Sequence, residues 1–192
     1  ALITHTHIIS GKDLLYTILE DLEVEFTPGS KARLLSQLNL FLIEQMRNDR
    51  NVVLVIDEAQ NLSSSVLEEV RMLSNLETED EKLIQIIFMG QPELKKKLAQ
   101  NNLEQLRQRV ALFFQLTPLD FEDTSRYVMH RLKIAGAADG QEIFTPEAVQ
   151  QIYKFSKGVP RLINQICDSA LLSGYVYGVK VIDRQLMEEV IH

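Results

Sequence analysis

Apolar residues in the first 117 positions follow two alternating patterns. Apolar runs at residues 52–56 and 83–89, the second interrupted only by Gln85, are typical of strands that are covered on both faces of a parallel sheet. Other segments carry apolar residues at helical spacing, such as the long stripe that predicts a helix over Lys31–Arg47. With shorter strands predicted at residues 1–4 and 111–116, this alternation predicts an α/β fold.

The strand pattern stops at Pro118, and only helical spacing follows. Four sets of N-terminal signals predict four helices in this part of the chain: Asp120, Thr145 with Pro146, Pro160, and Asp183. The sequence therefore predicts an α/β domain over residues 1–118 and a small all-α domain over residues 119–192.

Composition narrows the class of protein. The chain has 192 residues, 45% of them hydrophobic, and a net charge of −7. This balance favours a globular domain and argues against a surface devoted to nucleic acid. The sequence lacks both a signal-peptide layout and the 18 or more continuous apolar residues of a membrane span, and its lone cysteine, Cys167, cannot form an internal disulfide. We therefore expect a cytoplasmic protein; that it is the cytoplasmic part of a membrane-anchored parent is implied only by the family resemblance described below.

Two carboxylates follow the strand predicted at residues 52–56. Asp57 and Glu58 come directly after this apolar run, and open α/β sheets bind ligands at the carboxyl ends of their strands. Consecutive side chains point to opposite faces, so one carboxylate can approach a hydrated Mg²⁺ and the other a water that attacks a phosphate. This arrangement is that of a Walker B motif. The alternative is an ordinary strand end with two solvated acids.

A Walker B motif works beside a Walker A loop, G-x-x-x-x-G-K-[ST], and the sequence contains no such loop. Gly11 and Lys12 form the only Gly-Lys pair, and Asp13 follows them where the motif requires Ser or Thr. A carboxylate at that place would repel phosphate, so we interpret this segment as a helix start.

Five segments, in order, carry a resemblance to a known family: LVIDEAQNL at 54–62, LSNLE at 73–77, GQPEL at 90–94, LRQR at 106–109 and GVPRLIN at 158–164. Together they resemble the AAA+ ATPases of the general secretion pathway protein A type. The resemblance covers essentially the whole chain and implies ATP and Mg²⁺ as cofactors, a P-loop NTPase sheet followed by a helical lid, and a homo-oligomer.

The resemblance also implies roles for single residues near the sheet. Asp57 would assist Mg²⁺ binding, and Glu58 would act as the general base that polarises the attacking water. Gln91 matches the sensor 1 position, which responds to the γ-phosphate; the alternative is a turn residue before Pro92.

Three arginines match positions that contact phosphate in the family. Arg109 resembles the arginine finger that reaches a neighbouring subunit's nucleotide, with Arg107 as the alternate. The other interpretation of both is an exposed arginine at a helix end, where its charge is favourable. Arg161 matches sensor 2, a lid arginine that binds phosphate.

The chain departs from the family at its start. The family's sheet order is 5-1-4-3-2, and the strand, Walker A loop and helix that come first in the family are missing here. The absent strand would lie between the strands predicted at residues 83–89 and 111–116, so its loss should leave a gap or force repacking. We expect a fragment of a longer protein that is inactive alone; the alternative is a natural degenerate homologue.

The leading functional hypothesis is an ATPase that drives assembly of a secretion or pilus machine of the cell envelope, with those assembly proteins as partners. A transposition-type ATPase that acts on DNA with a partner is less favoured. A non-hydrolytic interaction module is a third possibility. A helicase is disfavoured, although residues 57–60 spell DEAQ, because the chain lacks a second RecA-like domain.

Overall fold

The computed structural model describes residues 1–4, 10–78, 81–138 and 140–191. The chain forms two compact units, Ala1–Phe113 and Phe114–His192. Among the described residues the first unit contains strands and helices, and the second contains helices without a named strand. The predicted domain boundary at residues 118–119 lies five residues beyond this division and stays a prediction.

A three-stranded parallel sheet forms the centre of the first unit, in the order β1-β2-β3. Its strands are β1 (Leu2–Ile3), β2 (Val53–Ile56) and β3 (Gln85–Phe88). In the register of the sheet, Ile56 lies beside Ile3 on one side and Phe88 on the other. This arrangement confirms the predicted parallel α/β fold and places the carboxyl ends of the three strands at one edge.

Five helices accompany the sheet among the described residues of the first unit. They are α1 (Gly11–Asp21), α2 (Lys31–Arg47), α3 (Ser64–Leu73), α4 (Pro92–Leu98) and α5 (Glu104–Arg109). Serine side chains cap the first three: Ser10, Ser30 and Ser63 each accept a backbone N–H of the first turn. Short 3₁₀ turns at Ala59–Asn61 and Asn101–Leu103 complete the unit.

The core of the first unit lies between the sheet and the apolar faces of its helices. Fully buried leucines of α2 show that the predicted stripe faces this core: Leu34, Leu38 and Leu42. Gly11 and Lys12 are the first two residues of α1, as the interpretation of that segment as a helix start requires.

The prediction of a strand at residues 111–116 is wrong. These residues are in neither strand nor helix, and Leu112, Phe114 and Leu116 are 83%, 78% and 87% exposed. Among the described residues, strand β3 pairs only with β2. No described strand lies beside the other edge of β3, so residues 111–116 have no partner to pair with in the sheet. The open edge agrees with the gap expected from the missing first strand.

The second unit contains α6 (Phe121–Ile134), α7 (Pro146–Ser156), α8 (Pro160–Tyr177) and α9 (Arg184–Ile191) among its described residues. The helices begin where the sequence predicted: Asp120 and Thr145 cap α6 and α7, and Pro146 and Pro160 are first residues. Its separate core includes Val128, Ile152, Ile163 and Met187. No helix in the part of the chain that the structure describes is long and apolar enough to cross a membrane.

Candidate active site

Asp57 and Glu58 lie at the carboxyl edge of the sheet, directly after β2. The backbone N–H of Asp57 donates to the carbonyl of Ile3 at 2.9 Å, which extends the pairing of β2 with β1 by one residue. Asp57 Oδ1 accepts the N–H of Glu58 at 2.8 Å. Asp57 Oδ2 makes no hydrogen bond to any described residue, so one carboxylate oxygen is available at this edge.

Glu58 turns the chain away from the strand. Its backbone is left-handed, with φ 50° and ψ 34°, a conformation that costs a non-glycine residue about 1–2 kcal/mol. The following 3₁₀ turn is held from outside, because Ala59 N–H donates to Met89 O at 2.9 Å and Lys97 Nζ donates to Gln60 O at 2.8 Å. These contacts hold the strained residue in place, as is typical of functional sites.

Gln91 contacts Glu58 at the same edge. The Glu58 carboxylate oxygen Oε2 accepts Gln60 Nε2 at 2.5 Å and Gln91 Nε2 at 3.4 Å. Gln91 precedes α4, and its side chain makes no capping hydrogen bond to that helix. Its amide is therefore directed toward the carboxylate.

Arg107 and Arg109 lie elsewhere in the first unit. Both are exposed in the last turn of α5, and neither makes a hydrogen bond to the residues at the edge of the sheet. The hydrogen bond and charge of Lys82 lower the pKa of Glu77, and the charge of Arg109 adds a smaller effect in the same direction.

Arg161 belongs to the second unit. It is the second residue of α8, after Pro160, and its side chain is exposed. The positive end of an 18-residue helix is an unfavourable place for a cation and a favourable one for an anion. Arg161 and the N-terminus of α8 would therefore together favour an anionic group.

Sequence reasoning missed Gln60 and Lys97. Gln60 lies two residues beyond Glu58 and contacts Gln91, 31 residues later, through a hydrogen bond that local spacing does not reveal. Lys97 follows Lys95 and Lys96 in a basic run of the kind that is usually solvated surface, but it is partly buried and donates to the carbonyls of Gln60 and Leu62. In the sequence, the one signal of this burial was the position of Lys97 next to the apolar residue Leu98.

The donor set at the edge of the sheet suits Mg²⁺ better than a metal held by protein alone. The described residues contain no group of three or more His, Cys, Asp and Glu side chains able to hold a metal. Mg²⁺ is usually bound through one or two carboxylates together with water and substrate phosphates. The available oxygen of Asp57 fits that pattern.

Residues 2–98 match the family described as "AAA domain". The chain therefore belongs to the AAA domain family, and its sheet and the carboxylates after β2 have the form of an AAA+ P-loop NTPase. In sequence it is 40% identical over 171 residues to general secretion pathway protein A of Aeromonas hydrophila. That alignment covers 88% of this chain and 31% of the relative, so the chain spans about a third of that protein's length.

Solved structures support the fold. The ORC2 protein of Aeropyrum pernix in its ADP form has a TM-score of 0.71 at 11% identity, over 100% of this chain and 52% of that chain. The RuvB Holliday junction branch migration motor of Thermotoga maritima has a TM-score of 0.58 at 14% identity, over 99% and 60%. These likenesses confirm the AAA+ fold.

Proposed function

We propose that this chain is the catalytic part of an ATP hydrolase in which Glu58 is the general base. The observation that carries the proposal is the position of its carboxylate at the carboxyl edge of the sheet, with the amide of Gln91 3.4 Å away. Glu58 Oε1 makes no hydrogen bond to any described residue, so it is the oxygen that accepts a proton from the attacking water.

Asp57 and Gln91 have supporting roles in this proposal. Asp57 would hold Mg²⁺ through its available oxygen, and bound Mg²⁺ supplies neutralisation of phosphate charge. Gln91 would orient the water beside the carboxylate. Arg161 would bind phosphate, and Arg109, or Arg107 as the alternate, would act on the nucleotide of a neighbouring copy.

The proposal places the phosphate-binding loop outside these 192 residues, because the sequence has no Walker A motif. The chain alone is then inactive. The identity with general secretion pathway protein A supports a cytoplasmic homo-oligomer that couples ATP hydrolysis to assembly of secretion or pilus proteins. The net charge of −7 gives no support to the alternative that acts on DNA.

Calorimetric titration with ATP and Mg²⁺ tests the placement of the phosphate loop. The 192-residue chain should bind no nucleotide at millimolar concentration, whereas the full-length protein should bind it. Micromolar binding by the chain alone would overturn this placement, and Lys12 and Arg161 would then be the first residues to replace.

Replacement of the base tests the chemistry. In the full-length protein, Glu58→Gln should lower kcat roughly 10²- to 10⁴-fold and leave ATP binding intact. Glu44→Gln, an exposed carboxylate of α2, is the matched control and should keep full activity. Full activity of Glu58→Gln would contradict the assignment of the base. Self-association without any nucleotide effect in the full-length protein would favour the non-hydrolytic module.

A further inference from the structure

We propose that Gln60 is a positioning residue that fixes the carboxylate of Glu58 against the end of β3. The inference rests on the proposed function of Glu58 as base. Gln60 Nε2 donates to Glu58 Oε2 at 2.5 Å, and Gln60 Oε1 accepts the backbone N–H of Gln91 at 3.1 Å. One amide group thus joins Glu58, the second residue after β2, to Gln91, the residue that precedes α4.

The two contacts require one orientation of the Gln60 amide. If the group were reversed, its oxygen would face the carboxylate oxygen of Glu58 and its NH₂ would face the N–H of Gln91. Both contacts would then be repulsive, because a carboxylate only accepts and a backbone N–H only donates. The two contacts therefore require that the amide nitrogen of Gln60, and not its oxygen, faces the Glu58 carboxylate.

Gly90 leaves the space that this amide occupies. A Cβ at position 90 would lie 2.5 Å from Gln60 Oε1, 3.2 Å from Leu94 Cδ2 and 3.4 Å from the backbone nitrogen of Ala59. The φ of Gly90 lies outside the left-handed region, so the glycine is needed here for space and not for its backbone conformation. Any side chain at this position would displace the Gln60 amide.

The backbone beneath Gln60 is held by independent contacts. Lys97 Nζ donates to the carbonyl of Gln60 itself, and Ala59 N–H donates to Met89 O. The amide therefore starts from a fixed turn, so the backbone of Gln60 needs no further ordering when the side chain meets the carboxylate. A preorganised donor of this kind is what a catalytic carboxylate needs in order to keep one geometry.

Gln60 also decides which oxygen of Glu58 acts as base. Gln60 and Gln91 both donate to Oε2, and Oε1 makes no hydrogen bond to any described residue. With Oε2 engaged, the carboxylate presents Oε1 to the attacking water. Loss of the Gln60 donor would let the carboxylate rotate and lose this alignment, with Asp57 and the sheet unchanged.

Nuclear magnetic resonance of the 192-residue chain without nucleotide tests the contacts directly. Gln60→Leu should speed hydrogen exchange of the Gln91 amide roughly 3- to 10-fold, and Glu58→Gln should shift the side-chain NH₂ signals of Gln60. Gln37→Leu is the matched control. Its amide accepts Thr27 N–H at 2.8 Å and donates to Thr27 O at 3.1 Å, so it should change Thr27 and leave Gln91 unaffected. Unchanged Gln91 exchange in Gln60→Leu would overturn the proposal.

Steady-state hydrolysis by the full-length protein tests the consequence. Gln60→Leu and Gln60→Glu should lower kcat roughly 10- to 100-fold with KM changed less than about twofold, because position is lost and binding is not. Gln60→Glu keeps the size of the side chain but replaces the donor with a second carboxylate that repels Glu58, whereas Gln60→Leu removes the donor without adding charge. Gly90→Ala should lower kcat in the same way by displacing the amide.

The two proposals fail in different ways. If Glu58→Gln is inactive and Gln60→Glu retains full kcat, the positioning role is wrong and the proposed function stands. If Glu58→Gln itself retains full activity while the Gln91 exchange still depends on Gln60, the contact exists but the function assigned to it is wrong.

Discussion

The ammonium group of Lys97 lies 2.8 Å from the carbonyl oxygen of Gln60, 37 residues earlier in the chain, and also donates to the carbonyl of Leu62. Gln60 lies in the 3₁₀ turn that follows Glu58, and Leu62 comes directly after that turn. Neither carbonyl belongs to an α-helix or a strand. The Lys97 ammonium group therefore supplies a hydrogen-bond donor to both carbonyls. It connects the turn that follows the candidate base to α4, the helix after β3.

Lys97→Met keeps the aliphatic stem of the side chain and removes both hydrogen bonds. We expect a loss of roughly 1–3 kcal/mol in the free energy of unfolding, because hydrogen bonds from a charged donor contribute more than neutral ones. Urea denaturation followed by circular dichroism measures it. Lys96→Met, the exposed neighbour, should stay within about 0.5 kcal/mol of the wild type. Equal effects of the two substitutions would show that the Lys97 contacts do not stabilise the turn.

A second prediction concerns Gly158, where two segments of the helical unit approach closely. A Cβ at this position would lie 1.8 Å from the carbonyl oxygen of Leu119, and φ is +76°. The backbones are also joined, because Leu119 N–H donates to Gly158 O at 2.9 Å. We expect Gly158→Ala to destabilise the unit by roughly 2–5 kcal/mol, from backbone strain together with the clash.

Gly178 provides the control for that substitution. It has a similar φ of +70°, but nothing lies within 4 Å of its added Cβ. Gly178→Ala should therefore cost only the backbone strain, about 1–2 kcal/mol. Denaturation midpoints of both variants give the comparison, and a Gly178→Ala loss as large as that of Gly158→Ala would remove the clash as the explanation.

Features of the fold that depend on residues close together in the sequence could be predicted from it. Helix starts were predictable because a cap acts within three residues, as Ser63 does with Val66. Asp57 and Glu58 were assigned to the edge of the sheet because open α/β sheets bind ligands at the carboxyl ends of their strands, whereas Gln91 was assigned from the family resemblance. A strand at residues 111–116 could not be judged in this way, since strand formation depends on a partner that is distant in sequence. The roles of Gln60 and Lys97 were hidden for the same reason.

A third prediction concerns the exposed arginines of α5. If Arg109 acts on the nucleotide of a neighbouring copy, Arg109→Ala in the full-length protein should lower kcat by about 10³-fold or more. Mixed with the inactive Glu58→Gln protein, it should regain part of the activity, because some interfaces then carry an intact Glu58 and an intact Arg109. Hydrolysis rates across mixing ratios measure this.

The same mixing experiment distinguishes the two arginines. Arg107→Ala should keep most of its activity if Arg109 is the residue that crosses the interface. Complementation by Arg107→Ala and not by Arg109→Ala would exchange their roles, and no complementation by either would remove α5 from the interface.

The last prediction concerns Cys167 on α8. Burial raises the pKa of its thiol from 9.0 to about 12, and the nearby charge of Asp168 acts in the same direction. Since only the thiolate is nucleophilic, three pKa units correspond to roughly a thousandfold slower alkylation of the folded chain near pH 8. Iodoacetamide labelling with and without denaturant measures the ratio. Equal rates would contradict the burial of the thiol.

The same shift in pKa determines how stability depends on pH. Between about pH 9 and 12 the folded protein keeps the thiol proton and the unfolded chain loses it, so the unfolded state binds fewer protons. The contribution of Cys167 is therefore complete below pH 9 and is lost as pH rises through this window. Urea midpoints should fall more between pH 8.5 and pH 10.5, roughly the lower half of the window, in the wild type than in Cys167→Ala. A parallel decline in both proteins would assign the alkaline loss of stability to other groups.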